Sequence, residues 1–290
     1  MKKIFLLIIQ TMFTLSLSAQ PGMTHSRTET KTIHSEVLKA DIPYNIYLPA
    51  NYDTDTNKKY PILYLFHGIT GTNQDWFDRG HLKDVMDQLT AAGETCEMII
   101  ISPKAGGRLP QEWNGYFNMP GWHFETFFFT ELLPHIENTY RVIGNKPNRA
   151  IAGLSMGGGG ATSYAQRYPD YFSSVYAMSA LMSLPNRGGS SSPDPNDKRS
   201  LLNASVIENS CVDYVKNADE TRKNQLRSIA WYVDCGDDDF LIDRNIEFYQ
   251  AMRTAQIPLQ FRVRDGGHTW EYWHSALYTC LPFVSRNFEK

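Results

Sequence analysis

The chain has no C-x-x-C pair and no cluster of cysteine with histidine, so it lacks the ligand spacing of a zinc site. It has no surplus of positive charge either. Its 28 Lys and Arg face 31 Asp and Glu, a net of −3, which gives no global attraction for nucleic acid. The run Gly157-Gly158-Gly159-Gly160 is not followed by the Lys-Ser/Thr pair of a phosphate loop, so it does not read as a nucleotide site. Past the N-terminus, no segment is long and apolar enough to cross a bilayer, and stable membrane insertion is not expected. There is no internal repeat. Only four cysteines occur: Cys96, Cys211, Cys235 and Cys280. They allow three complete pairings that spacing cannot choose among, and Cys235 equally reads as a buried free thiol.

What remains is a chain of 290 residues, 42% hydrophobic, able to bury a sizeable core. Lys2 and Lys3, the apolar start Ile4-Phe5-Leu6-Leu7-Ile8-Ile9 and the small residues Leu17-Ser18-Ala19 read as a signal peptide over residues 1–19. Cleavage is expected between Ala19 and Gln20, giving a secreted or periplasmic protein with one domain over 20–290. An exported protein meets an oxidising compartment, which is why the cysteines matter.

The most informative stretch is Gly153-Leu154-Ser155-Met156-Gly157, of the form G-x-S-x-G. The apolar run Arg149-Ala150-Ile151-Ala152 before it predicts a buried strand, and Ala161 to Ala165 after it can start a helix. A serine on so sharp a strand-to-helix turn projects its hydroxyl above the sheet, and small neighbours let the backbone pass closely. A serine nucleophile needs a base and an orienting acid, in the chain order Ser, Asp/Glu, His of an α/β-hydrolase. His268 lies on the glycine-rich loop past the alternating run Leu259 to Arg264. The other candidates fit worse: His25 and His34 are near the N-terminus, His81, His123 and His135 precede the serine, and His274 falls within a predicted helix. The acid should follow the strand Ile229 to Cys235, where Asp237, Asp238 and Asp239 all stand. Asp237, Asp239 and Asp243 have the opening spacing of a calcium loop. Leu241 and Ile242, however, fill the places that need a ligand and a glycine, and no metal or cofactor is expected.

These motifs resemble the feruloyl and acetyl esterases of carbohydrate esterase family one, within the wider esterase D and antigen 85-like group. The resemblance runs through Tyr64-Leu65-Phe66-His67-Gly68-Ile69-Thr70-Gly71, Asp75-Trp76-Phe77, Phe127 to Glu137, Ala150 to Gly158, Cys235 to Ile242 and Gly267-His268. It implies an α/β fold with a mostly parallel central sheet and helices on both faces. It also implies that Asp239, followed by Phe240-Leu241, is the acid. Phe240-Leu241-Ile242 would anchor the loop in the core and leave Asp237 and Asp238 on the turn, although both stay open as alternatives. Backbone N–H groups of Ile69 and Met156 would form an oxyanion hole, the first by resemblance and the second as the residue after the nucleophile. The implied substrate is an ester-substituted polysaccharide or oligosaccharide. Acyl transfer of the antigen 85 type and a non-catalytic carbohydrate-binding role are the alternatives.

The remaining elements follow from pattern. Tyr60 to Phe66 and Glu97 to Ser102 read as parallel strands, Thr28 to Tyr52 as an opening hairpin, and Tyr171 to Ser179 as a further strand. His81 to Ala92, Phe124 to Tyr140 and Leu201 to Gln225 read as helical. Asn186 to Ser200, rich in Gly, Ser, Pro and Asp, reads as a loop. Two aromatic segments could shape a pocket. Gly106 to His123 offers Trp113 and Trp122, and the stretch after His268 offers Trp270, as faces for a sugar or an aromatic acyl group.

Overall fold

A computed structural model describes residues 25–184 and 197–289. The expected signal peptide and cleavage site, and residues 186–196 of the expected loop, lie outside these residues. Eight strands form one sheet among the described residues. They are β1 (Arg27–Ser35), β2 (Ala40–Leu48), β3 (Ile62–Phe66), β4 (Ile99–Pro103), β5 (Arg149–Leu154), β6 (Ser174–Met178), β7 (Ala230–Gly236) and β8 (Gln260–Arg264). Their spatial order is β1-β2-β4-β3-β5-β6-β7-β8. The opening hairpin is antiparallel and joins the sheet at β4, and every pair from β4 to β8 is parallel.

Side chains of a strand alternate between faces, so a central strand with both faces covered is apolar throughout. In β3, Ile62, Tyr64 and Phe66 join one buried cluster, while Leu63 and Leu65 join the other. Helix Leu82–Ala91 buries Leu82, Val85, Met86 and Leu89, the i, i+3, i+4, i+7 stripe of one helical face. It packs with helix Trp270–Arg286 on the Leu63 side. Helices Met156–Arg167, Cys211–Lys216 and Ile242–Thr254 cover the opposite side. The fold class is therefore the expected one, a mostly parallel α/β sheet with helices on both faces.

Three local expectations are refined. The helical run from Phe124 contains a widened π-turn, Phe128–Leu132, before Leu133–Thr139. Pro134 lacks the N–H that would close a normal turn there. Lys198 to Ser200 belong to helix Lys198–Glu208 rather than to a loop, because the Asp197 carboxylate caps it through the Arg199 and Ser200 amides. All four cysteines are free thiols. Burial pushes the Cys211 thiol up to about 12 and raises Cys235 and Cys280 as well, which keeps them protonated and unreactive at neutral pH.

The turn from β5 into helix Met156–Arg167 is closely packed against backbone. A Cβ on Gly153 would lie 2.5 Å from both the carbonyl carbon and the carbonyl oxygen of Gly157. That obstacle is backbone and cannot rotate away. Gly153→Ala is expected to cost about 1–3 kcal/mol, a drop of several degrees in the thermal midpoint. Thermal unfolding checks it, and an unchanged midpoint would refute the close approach.

Candidate active site

Ser155 sits at φ 54, ψ −120, between β5 and the helix that starts at Met156. A side-chain-bearing residue adopts this backbone only where the surroundings impose it. Its N–H donates to Met178 O of β6 at 2.9 Å. Its carbonyl accepts from the Gly159 N–H at 3.1 Å and the Leu181 N–H at 2.9 Å. The turn is thus fastened from both sides, and the hydroxyl is presented at the carboxyl edge of the sheet.

His268 comes from the loop after β8. Its Nδ1–H donates to Asp239 Oδ2 at 2.9 Å and Oδ1 at 3.1 Å. Its Nε2 accepts from the Ser155 hydroxyl at 3.0 Å. Asp239 is 1% exposed. Burial alone would raise its pKa, but hydrogen bonds from His268, the Leu241 amide and the Ser179 hydroxyl outweigh burial and hold it below the ordinary carboxylate value. The Leu241 amide bond is 2.8 Å long. The structure thus joins Ser155, His268 and Asp239 in one hydrogen-bonded line. It leaves Asp237 and Asp238 exposed, beside exposed Asp265. Asp237 Oδ1 instead accepts from the Gly266 N–H at 3.1 Å, stapling the acid loop to the histidine loop. Asp239, which the calcium reading also used, faces His268.

The expected burial of Phe240 fails. Leu241 does enter the core, but Phe240 does not, being 75% exposed. Its ring lies 4.5 Å from that of His268 and lines the cavity over Ser155. Three residues after the buried Asp239 carboxylate, the chain enters helix Ile242–Thr254, and this geometry points Phe240 outward.

The loop after β3 faces Ser155 from the other side. A Cβ on Gly68 would lie 2.8 Å from Leu154 Cδ1 and 3.6 Å from Ser155 Cβ. Gly68 O accepts from the Gly71 N–H at 3.0 Å, closing a four-residue turn that leaves the Ile69 N–H unused. Met156 is the first residue of its helix, so its N–H has no carbonyl one turn back. Three side chains hold this loop. Trp76 Nε1–H donates to Phe66 O at 3.0 Å, and the Tyr116 hydroxyl donates to His67 O at 2.8 Å. His67 Nδ1–H donates to Gly68 O at 2.7 Å, while its Nε2 accepts from the Ala105 N–H at 3.1 Å. These partners fit only the neutral imidazole, and burial lowers its pKa to about 4. Tyr116 and Trp76 were not foreseen as supports. Trp76 lay in a matching motif, but Tyr116 stands in a Gly- and Pro-rich stretch with φ 70 that no local pattern signals.

The cavity above Ser155 measures about 200 Å³, with Trp270, Trp273, Phe240 and Arg79 on its walls. Trp270 stacks edge-on to Trp76 and Trp273, and the Arg79 guanidinium lies 5.0 Å from its ring centre. Trp113 and Trp122 do not line it. Trp113 packs against the core under Arg199, and Trp122 lines a separate cavity.

The strand order, the strained serine turn and the Ser–His–Asp line define an α/β-hydrolase. The Esterase family model matches residues 35–284, and the chain belongs to that family of carboxylic ester hydrolases. A solved structure of a ferulic acid esterase is 63% identical, with a TM-score of 0.90, covering 92% of this chain and 100% of that one. Esterase MT1326 of Mycobacterium tuberculosis (strain CDC 1551 / Oshkosh) is 38% identical over 144 residues, 48% of this chain and 29% of that protein. The chain therefore matches less than a third of that relative's length. An acetyl esterase of Caldicellulosiruptor saccharolyticus is 22% identical over 272 residues, 87% of this chain and 96% of that protein.

His67 gives a test by pH. Unfolded, an imidazole titrates near 6.5, and folded His67 titrates at about 4. Between these values the unfolded chain binds more protons, so stability present above pH 6.5 is lost as pH falls toward 4. About 3 kcal/mol is at stake. Melting curves of wild type should therefore fall more steeply than those of His67→Gln over this window, and parallel curves would count against the buried neutral imidazole.

Proposed function

We propose that the protein is a secreted serine esterase that removes feruloyl or acetyl groups from plant cell-wall polysaccharides such as xylan. The observation that carries this reading is the line Ser155 Oγ–His268 Nε2, His268 Nδ1–Asp239, with heavy-atom distances of 2.9–3.1 Å, at the floor of a cavity with aromatic walls. Supporting it are the names of the similar proteins, a ferulic acid esterase and an acetyl esterase. Residues 20–290 form the esterase domain, and residues 1–19 act as a cleaved signal peptide.

Ser155 Oγ attacks the ester carbonyl carbon while His268 Nε2 takes the hydroxyl proton. Negative charge gathers on the former carbonyl oxygen, which the Ile69 and Met156 N–H groups receive. Each such donor is worth about 3 kcal/mol of barrier. The positive end of helix Met156–Arg167 adds to this field. The carbon–oxygen bond to the alcohol then breaks, and the His268 proton goes to the leaving oxygen. Water, deprotonated by His268, attacks the acyl-enzyme, releasing the acid and restoring Ser155. Asp239 fixes the Nδ1–H tautomer and stabilises the imidazolium formed at each step.

Kinetics on methyl ferulate, acetylated xylan and short p-nitrophenyl esters test the reading. Ser155→Ala should lose on the order of 10⁴ or more in kcat with the fold intact. Asp239→Asn should lose about 10³–10⁴, because the amide favours the wrong tautomer. Asp237→Asn and Asp238→Asn should each lose less than about tenfold, as exposed charges do. A Ser155→Ala enzyme that keeps a tenth of wild-type turnover would end the serine mechanism. A crippled Asp237→Asn beside an active Asp239→Asn would move the acid.

Export is checked separately by mass spectrometry of the native protein. The expected mature start is at or near Gln20, outside the cytoplasm. An intact Met1 in the cytosolic fraction would overturn it.

A further inference from the structure

The carboxyl edge of the sheet carries a second cavity, of about 290 Å³, which contains none of Ser155, His268 and Asp239. Its position follows from topology. β2 runs antiparallel to β4 with Tyr44 opposite Pro103, so the start of β2 and the residues just past β4 meet at the edge where Ser155 emerges. The Lys104 N–H donates to Pro43 O at 3.0 Å and closes that corner. β4 lies two strands from β5 and β2 lies three. At the usual strand spacing this cavity is about 10–14 Å from the serine strand. One loop separates the two cavities. Ala105 and Gly106 line the second, while Arg108 of the same loop reaches 3.6 Å from Asp75 on the wall of the first.

Its side chains have a definite chemistry. Trp122 is half-buried, with Nε1–H donating to Ala105 O at 3.3 Å, so the indole is held in one place. Lys104 and Lys198 line the same cavity, and neither has an ion-pair partner among the described residues. The two carboxylates there are engaged elsewhere. Asp41 lies 2.7 Å from His34 Nδ1, and Glu112 folds back toward Gly107 and the Leu109 N–H, 3.5 Å from its carboxylate. The two ammonium groups are thus left without an ion-pair partner among the described residues, in a cavity whose two lysines and two carboxylates balance in formal charge.

A fixed indole face stacks on the apolar face of a sugar ring, and ammonium groups beside it pair with an anionic substituent. A neutral sugar would leave both lysines unused. We infer that this cavity is a subsite for a uronic-acid residue of the glycan whose ester is cleaved at Ser155. The inference rests on the esterase reading and adds the glycan chemistry. The acyl group occupies the cavity at Phe240 and Trp270, and the acidic branch or backbone residue lies across the Arg108 loop.

The experiment has a binding arm and a kinetic arm. In the first, calorimetry measures Ser155→Ala with unesterified xylo-oligosaccharides, one bearing a glucuronic-acid branch and one neutral. Tighter binding of the acidic ligand is expected, weakening as salt rises. The Lys104→Gln/Lys198→Gln double substitution on that background should lower its affinity about tenfold. In the second arm, the readout is kcat/KM on a feruloylated acidic oligosaccharide divided by kcat/KM on methyl ferulate. This ratio should fall about tenfold in the double-lysine variant. Equal affinity for the two oligosaccharides, or an unchanged ratio, overturns the subsite. The binding arm needs no hydrolysis, so its failure speaks against the subsite alone. A wild type inert on methyl ferulate speaks against the esterase reading.

Discussion

The site depends on holding one residue, Ser155, at a backbone angle that side-chain-bearing residues avoid. A strained residue of this kind costs on the order of 1–3 kcal/mol. The surrounding structure offsets that cost with three backbone hydrogen bonds, from Ser155 N–H to β6 and to the Ser155 carbonyl from Gly159 and Leu181. It also requires near contact between backbones, which is why Gly153 and Gly157 flank the serine. Beside Gly157, the space a Cβ would need is already taken by the His67 carbonyl. The same glycine that permits the turn therefore brings the β3 loop, with the Ile69 N–H, against the helix start that carries the Met156 N–H. The geometry of Ser155 and the placement of the Ile69 and Met156 N–H groups are one packing problem.

Asp239 and His268 are placed by a second arrangement, at the ends of β7 and β8. Asp234 in β7 is fully buried and accepts from the Tyr176 hydroxyl at 2.7 Å and the Tyr272 hydroxyl at 2.5 Å, with Arg262 of β8 as its ion-pair partner. This cluster locks the two strands to β6 and to helix Trp270–Arg286. Beyond it, the Asp237 N–H donates to Arg264 O and the Asp238 N–H to Gly266 O, both at 3.1 Å. With the Asp237 carboxylate on the Gly266 N–H, the two loops are zipped together before Asp239 and His268 meet. Asp237 is thus a structural staple, and its exposure leaves Asp239 as the acidic residue of the three that turns inward.

How much of this was legible depended on how local the signal is. The serine turn is written in consecutive residues, because small side chains at fixed offsets are a condition of the backbone angle. The order of Ser155, an aspartate and His268 then limited the partners. The choice of Asp239 over Asp237 and Asp238 came through resemblance and the apolar residues behind it, since the staple that fixes the loop joins residues 29 apart. Phe240 was misread for the same reason: an apolar triplet suggests burial, but the inward Asp239 fixes the phase of the chain and turns the next ring out. Tyr116 belongs to the aromatic Gly106 to His123 segment, but nothing local signals its role as a brace. Its role arises from stacking on Phe66 at 4.3 Å and reaching His67 O, contacts between segments about fifty residues apart. The strand and helix pattern was plain, because both faces of β3 to β7 are buried and read as short apolar runs.

Two histidines in this site show how surroundings divide one side chain into two tasks. His67 is buried with a carbonyl on Nδ1 and an amide on Nε2, so both nitrogens are consumed and the ring stays neutral as a brace. His268 has a carboxylate on Nδ1 and only a hydroxyl on Nε2, so one nitrogen is oriented and the other faces Ser155. The difference is carried by Asp239, which could not do this if burial protonated it. The bonds from His268, the Leu241 amide and the Ser179 hydroxyl hold it below the ordinary carboxylate value, and Ser179 is held in turn by the Trp273 Nε1–H at 3.1 Å. Trp273 also meets the His268 ring edge-on at 4.8 Å. One buried indole therefore braces both residues, Asp239 through Ser179 and His268 by ring contact.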